Sequence, residues 1–353
     1  MNPPTTRASD EVCLPVSPPG SSLHHSPIEI AERILRMIFQ RRRSAVPADP
    51  CVTQPCSQCF APHLKKIVRQ LEAEQPVHLV IPAFPAKSRN RGKVLGRLPD
   101  MAEVLALESL QSLCDQVSSV HPPGAVITIC SDGHVFSDAL EIPDEHVDDY
   151  GAALQRIIRS SGGGSIGIYG LRDAMPDLSW DERRRILLDT YADDIDTIRE
   201  WVRADESGRR MFNGIHRFMV EDNNALMPGL SANQRRIRSK RTAYEVVQRS
   251  QAWSRLVAGA FPEAVRLSIH PQAHHSDKIG IHLLRSPDNW LTPWHGVALD
   301  NGTGYVLIKR AQAESVGARL IWRHSRPSHF VVPGPEYIAP AGLPGTRTEE
   351  SCR

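Results

Sequence analysis

The stretch VHLVIPAFPAKSRNRGKVLGRLPD (77–100) continues into MAEVLALESLQSLCDQVSS (101–119) and VHPPGAVITICSDGHVFSD (120–138). The first and third segments contain apolar runs typical of buried strands, and the second has the apolar spacing of an amphipathic helix. Two parallel strands joined by one crossover helix release their loops at the same edge of the sheet, where open α/β proteins bind ligands. This unit therefore predicts both a fold and a site, in which a basic loop faces an acidic turn.

The bulk composition indicates a globular protein of nearly balanced charge. The chain has 353 residues, enough for one large α/β domain or two smaller ones, and its 42 basic residues nearly cancel 40 acidic ones. This balance argues against a general attraction to nucleic acid or to an acidic membrane. There is no apolar run of about 18 residues, and seven cysteines are an odd number. We therefore predict a cytoplasmic protein that spans no membrane and keeps its cysteines reduced.

Helical and strand patterns alternate along most of the chain, which predicts one α/β domain over 26–338. The expected fold class is α/β and Rossmann-like, with a mainly parallel sheet, flanking helices and a β-rich C-terminal part over about 262–333. Short β-rich segments separated by turn residues predict antiparallel strands in that part. Residues 1–25 are predicted to form a disordered leader, and residues 339–353 a disordered tail.

Capping signals predict where several helices begin. Ser26 begins the first helix, and the arginine run 41–43 near its end is interpreted as solvated. Ser179 opens a capping box that predicts one long helix through Trp201. Further helices are predicted over 101–119, 144–160 and 206–260, the last with a solvated or substrate-facing basic run at 235–241.

The loop from Lys87 to Arg97 contains five cations and no carboxylate. A solvated loop usually mixes both signs, so this composition predicts an anion cradle, most readily for the phosphate of a small metabolite. Neither the Walker spacing nor the dinucleotide fingerprint is present. The expected ligands are Lys87, Ser88, Arg89, Arg91 and Lys93.

The turn SDGHVFSD (131–138) follows the second strand and is predicted to face that loop. Its carboxylates can orient hydroxyls or an amine through charge-assisted hydrogen bonds. An Asp-Gly pair alone more often closes a turn, and its position opposite the cations makes it a candidate site. The candidates here are Ser131, Asp132, His134 and Asp138.

The C-terminal β-rich part carries many reactive side chains. In RLSIH (266–270) polar and apolar residues alternate, which predicts one polar face. An amphipathic sheet with a solvated face is the alternative, although such a face usually has Thr, Glu and Lys rather than repeated His. The candidates are Arg266, Ser268, His270, Lys278, His282, Trp294 and His295.

The segment CVTQPCSQCFAPH (51–63) has spacing that can hold a metal, through Cys56, Cys59 and His63 with Cys51 as a possible fourth ligand. The alternative is a loop with scattered thiols. Because no second CxxC pair accompanies the segment, no metal is predicted.

Five motifs resemble the isocyanide (isonitrile) synthases of the pyoverdine-chromophore and dityrosine biosynthesis family. They are PAFPAKSRNRGKVLG (82–96), LPDMAEVLALESLQSLC (98–114), ICSDGHVFSD (129–138), RLSIHPQ (266–272) and TPWHGVA (292–298). The similarity runs from about Ile28 to Val332. It implies a Rossmann-like enzyme of lyase type that joins the amino group of tyrosine or tryptophan to a carbon from ribulose 5-phosphate, without a cofactor. It also implies a partner oxygenase dependent on iron and 2-oxoglutarate, and it leaves a homodimer open.

The resemblance gives the candidates roles. Lys87, Arg89, Arg91 and Lys93 are expected to hold the phosphate, and Arg266 the amino-acid carboxylate. The acids and bases of the condensation are expected among His270, His282 and His295, with Lys87, Asp132 and Lys278 for later proton transfers. Trp294 is expected to cover the apolar side chain.

Two other functions fit the local chemistry of the residues. One is a sugar-phosphate aldolase or isomerase that uses Lys87 as a Schiff-base lysine. The other is a non-enzymatic phosphometabolite-binding protein, which needs the cationic loop but not the histidines.

Overall fold

The computed structural model describes residues 26–46, 48–162 and 164–333, so the predicted leader and tail lie outside the described residues. The helices are α1 Pro27–Phe39, α2 Ser57–Glu72, α3 Met101–Ser118, α4 Gly133–Phe136, α5 Asp144–Ser160, α6 Leu171–Ala174, α7 Trp180–Tyr191, α8 Ile195–Ala204, α9 Glu206–Leu226, α10 Ala232–Ala260 and α11 Arg310–Ser315. The strands are β1 Val77–Pro82, β2 Ala125–Cys130, β3 Ile166–Tyr169, β4 Val265–Ser268, β5 Ile279–Gly280, β6 Val297–Asp300, β7 Tyr305–Ile308, β8 Arg319–Arg323 and β9 Arg326–Val331. Short 3₁₀ helices occupy Pro50–Val52 and Pro293–His295.

The main sheet has the strand order β3-β2-β1-β4-β5, and all neighbouring strands in it are parallel. β1 and β2 pair in register from Val77 with Ala125 to Pro82 with Cys130, and α3 connects them. Leu79 and Ile81 pack into one apolar cluster while Val80 packs into another, so β1 is covered on both faces. The predicted α/β class with a mainly parallel sheet is confirmed.

The C-terminal part differs from its prediction. β4 and β5 extend the parallel sheet, because the buried Val265 and Leu267 continue the core beside β1. The second sheet has the order β7-β6-β9-β8, in which β6 pairs antiparallel with β7 and β8 with β9, but β6 and β9 run parallel. The prediction of antiparallel strands throughout is therefore wrong, since apolar runs carry no signal for strand direction.

Capping boxes begin α1 at Ser26, α3 at Asp100 and α7 at Ser179, which confirms the predicted helix starts at Ser26 and Ser179. The long helix expected from Ser179 through Trp201 is instead two helices. α7 ends at Tyr191, and the Asp194 side chain accepts hydrogen bonds from two backbone N–H groups at the start of α8. The region 206–260 is likewise divided into α9 and α10, with a new capping box at Ser231.

The arginine run after α1 is not solvated as expected. Arg42 and Arg43 are buried, and Arg42 pairs with the buried Asp49 at 3.4 Å. Arg43 donates to the backbone oxygens of Ile269 and Leu291. The chain turns inward here and forms isolated β-bridges with residues 272 and 281, so the two arginines connect buried segments of the protein.

Helices cover both faces of the main sheet. α1, α2, α3 and α5 contribute to the cluster on one face, whereas α7, α8, α9 and α10 contribute to the cluster on the other. Within the described ranges, none of the helices has both the length and the apolar character needed to cross a membrane.

Candidate functional site

Two cavities lie where β1, β2 and β4 end. The smaller has a volume of about 170 Å³, and aromatic and apolar side chains such as Phe136, Phe218 and Trp294 form much of its wall. The larger has a volume of about 830 Å³, and its wall includes polar side chains from α10 and from the loop after β4. The residues that line both cavities are Asp132, Ser250, Ile269, His270 and Trp290. Two different substrates can therefore meet at a shared wall.

Asp132 stands at the carboxyl end of β2 and contributes to that shared wall. The residue after it must be glycine, because a Cβ on Gly133 would lie 2.1 Å from the Pro85 carbonyl oxygen and 2.4 Å from a methyl group of Val147. One carboxylate oxygen, Oδ1 of Asp132, is buried without a hydrogen-bond partner among the described residues. Burial raises the pKa of Asp132 to about 7, so this group can donate or accept a proton near neutral pH.

His270 and His295 supply imidazoles to the same region. His270 lines both cavities, and burial, reinforced by Arg43 and Lys278, lowers its pKa to about 4. His295 lines the smaller cavity and stacks on Phe218 with ring centres 5.0 Å apart. Burial followed by nearby lysines holds the pKa of His295 well below its ordinary value. Both rings are therefore neutral at physiological pH and can accept a proton.

His282 does not share a cavity with the other candidate histidines. It lies outside the linings of both cavities, and its Nδ1 accepts a hydrogen bond from Arg43 Nε at 3.3 Å. Burial, followed by the charge of Arg43, lowers the pKa of His282 to about 3. The structure does not bring His282 to the cavities with the other candidates, and the ring helps to orient the buried Arg43.

Lys87 lines the smaller cavity but is fully committed to protein partners. Its Nζ lies 2.8 Å from Asp100, 2.8 Å from Glu103 and 3.1 Å from the Pro293 carbonyl oxygen. Its side chain has 0% exposure. Burial lowers the pKa of Lys87, but the two carboxylates outweigh it and raise that pKa overall. A protonated amine with three acceptors has no lone pair for a Schiff base and no free hydrogen for a phosphate, so these contacts favour neither expected role.

The other loop cations are also paired. Lys93 lies 2.6 Å from Asp222 and 3.3 Å from Glu221, and Arg89 lies 3.0 Å from Glu141. Ser88 and Arg89 line the smaller cavity, but Arg91 and Lys93 line neither cavity. Helix α9 and the turn after α4 supply carboxylates that the loop itself lacks, so Lys93 and Arg89 are neutralised within the protein and the geometry does not favour the predicted phosphate cradle.

Of the four candidates in the acidic turn, only Asp132 lines the cavities. The Ser131 hydroxyl donates to the Phe84 carbonyl oxygen at 3.2 Å. His134 stacks on Trp180 with ring centres 3.5 Å apart, and Asp138 accepts two hydrogen bonds from Arg249 at 2.6 and 2.9 Å. The remaining three residues lie outside both linings, where they hold neighbouring helices in place.

The cation with the fewest acidic partners at the cavities is Lys278, which lines the larger one. Its Nζ donates to Ser254 Oγ at 2.8 Å, and Arg266 donates to the same oxygen at 2.5 Å. Among the described residues, no carboxylate lies within ion-pair distance of Lys278, and Asp277, 3.7 Å from Arg266, is 74% exposed. Burial, followed by the charge of Arg266, lowers the pKa of Lys278. This corner has surplus positive charge and can hold an anion.

Ser268 and Trp294 contribute to the shape of the two cavities. Ser268 lines the larger cavity and its Oγ accepts hydrogen bonds from the His270 backbone N–H and from the Gln272 side chain. Trp294 lines the smaller cavity and packs on Phe84 with ring centres 5.3 Å apart. Of the two, Trp294 is placed where an apolar substrate side chain would contact it.

The sequence did not indicate several of the residues that line the cavities. Ser250 and Ser254 lie inside the long helix α10, where a serine looks like an ordinary surface residue. Asp222 has no motif around it in α9. Trp290 offered a signal, since it lies four residues before Trp294 in an aromatic-rich segment.

Comparison with known proteins places this site in a family. A family model described as pyoverdine/dityrosine biosynthesis protein matches residues 67–321, which is more than half of the chain. The chain belongs to the pyoverdine/dityrosine biosynthesis family. Among its relatives, an L-tryptophan isonitrile synthase from Fischerella ambigua is 48% identical, covering 85% of this chain and 91% of the relative.

Other members of the pyoverdine/dityrosine biosynthesis family extend the comparison. An L-tyrosine isonitrile synthase from Pseudomonas aeruginosa is 42% identical, covering 76% of this chain and 84% of the relative. The crystal structure of the PvcA protein from the same organism matches with a TM-score of 0.80 and 38% identity, over 86% of this chain and 99% of that one. The similarity thus covers the main sheet and both cavities.

Proposed function

We propose that this protein is an isonitrile synthase that joins the amino group of an aromatic L-amino acid to a carbon from ribulose 5-phosphate. Family membership and the isonitrile synthases among the relatives support the reaction class. The observation that carries the two-substrate reaction is the pair of cavities that meet at Asp132 and His270. A binding protein for one phosphometabolite needs only one of them.

The smaller cavity is the proposed site of the amino-acid side chain. Its wall combines Phe136, Phe218 and Trp294, which suits an indole or phenol ring. An amino acid seated there directs its amino group towards the shared wall. L-Tryptophan is the first substrate to test, because the relative of 48% identity is an L-tryptophan isonitrile synthase and the L-tyrosine isonitrile synthase from Pseudomonas aeruginosa is 42% identical.

The larger cavity is the proposed site of the sugar phosphate, with the phosphate at Lys278 and Ser254. A phosphate dianion balances the surplus charge of Lys278 and Arg266. Because the Ser254 oxygen already accepts from both cations, its own hydrogen is left to donate to a phosphate oxygen. This proposal moves the phosphate away from the loop from Lys87 to Lys93, because carboxylates of the protein already neutralise those two lysines.

The first chemical step is a condensation at the shared wall. His270, neutral at physiological pH, takes a proton from the ammonium group and leaves the amine nucleophilic. The amine nitrogen bonds to the ketone carbon as the carbon–oxygen π bond breaks, and one proton moves from the nitrogen to the oxygen to give a carbinolamine. Asp132 in its protonated form then donates to the departing hydroxyl, one water leaves, and the Asp132 carboxylate takes the remaining nitrogen proton, so that a neutral imine is left. Later phosphate loss and carbon–carbon cleavage, the lyase part of the reaction, need further proton transfers, which His295 is positioned to serve.

The reaction is tested with purified protein, L-tryptophan or L-tyrosine, and ribulose 5-phosphate labelled uniformly with ¹³C. We expect consumption of both substrates, an infrared isonitrile stretch and one labelled carbon in the product. Omission of the sugar phosphate is the control. A product without label, or no consumption of the sugar, would reject the carbon donor. Borohydride trapping of the sugar on Lys278 without isonitrile would instead identify an aldolase.

The expected oxygenase partner, dependent on iron and 2-oxoglutarate, stays a proposal that rests on the family resemblance. An isonitrile released by this enzyme would be its substrate. Adding such an oxygenase to the assay should consume the isonitrile in the presence of 2-oxoglutarate, and an unchanged isonitrile signal would count against it.

A further inference from the structure

We propose that this protein binds a structural zinc ion through Cys51, Cys56, Cys59 and His275. The thiols of Cys56 and Cys59 at the start of α2 converge there with the imidazole of His275 from the loop after β4, and the Cys51 thiol lies near Cys59 in a second such group. None of the four proposed ligands lines either cavity.

The distances between the ligand atoms fit a tetrahedral ion. Cys56 Sγ lies 3.6 Å from Cys59 Sγ and 3.7 Å from His275 Nε2. Zinc holds sulfur at about 2.3 Å and nitrogen at about 2.0 Å, so ligand atoms on neighbouring corners are about 3.5 to 3.8 Å apart. The ligand atoms of Cys56, Cys59 and His275 all lie within 4.8 Å of one another, and a second group within that distance contains Cys51, Cys59 and His274. Cys59 belongs to both groups, so we assign the Cys51 thiol as the ligand that completes the site.

The local fold presents the thiols together. Cys56 is the residue that precedes α2, Cys59 lies in its first turn, and Cys51 lies in the 3₁₀ helix Pro50–Val52. A helix N-terminus favours negative charge, which suits thiolates. Zinc with three thiolates and one imidazole carries a net charge of −1, and Arg42 lies beside it with Nη1 3.3 Å from Cys59 Sγ. The three thiol protons pass to solvent when the ion binds.

His275 is the better fourth ligand of the two neighbouring histidines. Its Nε2 is the atom that faces Cys56, and its backbone has φ of 57°, a left-handed conformation that is uncommon for a non-glycine residue. His274 instead places its Nε2 2.9 Å from Asp49, a buried carboxylate. His63, which the sequence spacing offered as a possible ligand, belongs to neither group, because both groups draw their imidazoles from the loop after β4.

A metal here would fix the loop that carries His270. Gln272 and His274 from this loop line the larger cavity, and Lys278 lies a few residues further on. Backbone hydrogen bonds from Gln272 to Arg43 and from Arg43 to Gly280 already join the loop to the segment after α1. The ion would add a second tie, between this loop and the segment that begins α2, so its role is to position the loop, not to act on substrate.

The test begins with metal content, measured on full-length protein by inductively coupled plasma mass spectrometry without substrates. We expect about one zinc per chain. Reduced apo-protein should take up one Co²⁺ and show the thiolate-to-cobalt charge-transfer absorption of a tetrahedral site. Removing zinc should speed hydrogen exchange in the loop from 270 to 281.

Matched variants localise the ion. Cys56→Ser and Cys59→Ser should each weaken zinc binding by at least about 100-fold, whereas Cys114→Ser, at a buried cysteine in α3, should bind as the wild type does. His275→Asn should weaken binding and His274→Asn should not. If a variant fails to fold, Co²⁺ titration of the wild type still decides the question. Absence of metal uptake by reduced wild type, or a Cys56–Cys59 disulfide in unreduced peptide maps, would overturn the site.

Discussion

Two lysines, the buried Lys87 and the half-buried Lys278, differ in what surrounds their charges. Lys87 meets two carboxylates and a carbonyl oxygen, and all three of its hydrogens have acceptors. Lys278 donates to one serine hydroxyl and lies beside Arg266, which adds charge of the same sign. A buried cation that is neutralised stabilises a fold, whereas one with surplus charge at a cavity wall is available to a ligand.

The largest effect is expected at the surplus cation. Lys278→Met should lower kcat/KM for ribulose 5-phosphate by about 1,000-fold, about 4 kcal/mol, mainly through KM. The fold should survive, because the change leaves no buried carboxylate without a partner. Steady-state kinetics and thermal melting measure the two parts. Lys66→Met, a nearby lysine outside both linings, is the control. An unchanged KM in Lys278→Met would place the phosphate elsewhere.

The opposite behaviour is expected at the neutralised cation. Lys87→Met should lower the free energy of unfolding by about 3 kcal/mol, because it leaves Asp100 and Glu103 buried together. The cost is at the low end because Glu103, whose pKa burial raises to about 7, can take up a proton. Urea denaturation measures the change, and the folded enzyme should keep its KM for ribulose 5-phosphate.

A rescue variant tests the reason for that loss. Adding Asp100→Asn and Glu103→Gln to Lys87→Met removes the uncompensated charge and should restore part of the stability. If the triple variant is no more stable than Lys87→Met, the carboxylates are not the cause.

A third prediction concerns the titrating group at the shared wall. Asp132→Asn should lower kcat by about 100-fold, since general acid–base catalysis typically contributes that much. In the wild type, kcat/KM should fall above about pH 7, where Asp132 loses the proton that it donates. A pH–rate profile checks this, and the same fall in the Asn variant would assign it to another group.

The raised pKa of Asp132 should also make the stability of the protein depend on pH in a predictable direction. Its native pKa of about 7 lies above the ordinary value of 3.8, so the unfolded chain releases this proton at lower pH than the folded protein does. Its contribution to stability is full below about pH 4 and falls as pH rises to about 7. As the pH rises from about 5 to about 8, the stability of Asp132→Asn relative to wild type should therefore increase. Chemical denaturation at several pH values measures this. A constant difference would contradict the raised pKa.

The smallest effect is expected at the exposed loop cation. Arg89 forms an ion pair with Glu141 in which the side chains are 37% and 46% exposed. Arg89→Ala should change the free energy of unfolding by less than about 1 kcal/mol and the KM for ribulose 5-phosphate by less than about twofold. Arg91→Ala is the companion variant. A tenfold rise in that KM for either variant would restore the loop as the phosphate site.

Local patterns were sufficient for the elements of the fold. The sequence alone determined β1, α3 and β2, the capping boxes at Ser26, Asp100 and Ser179, and the family, because periodicity, capping and motifs act between residues close in the chain. It also named Asp132 and His270 as candidates.

Only the tertiary structure decided which of those candidates share a wall and which cations are free. Asp100 and Glu103 reach Lys87 across the fold, α9 brings Asp222 to Lys93, and His275 meets Cys56 from the far end of the chain. Charge compensation and metal geometry depend on distances of a few ångströms between segments that are remote in sequence. A linear pattern of residues contains no measure of those distances.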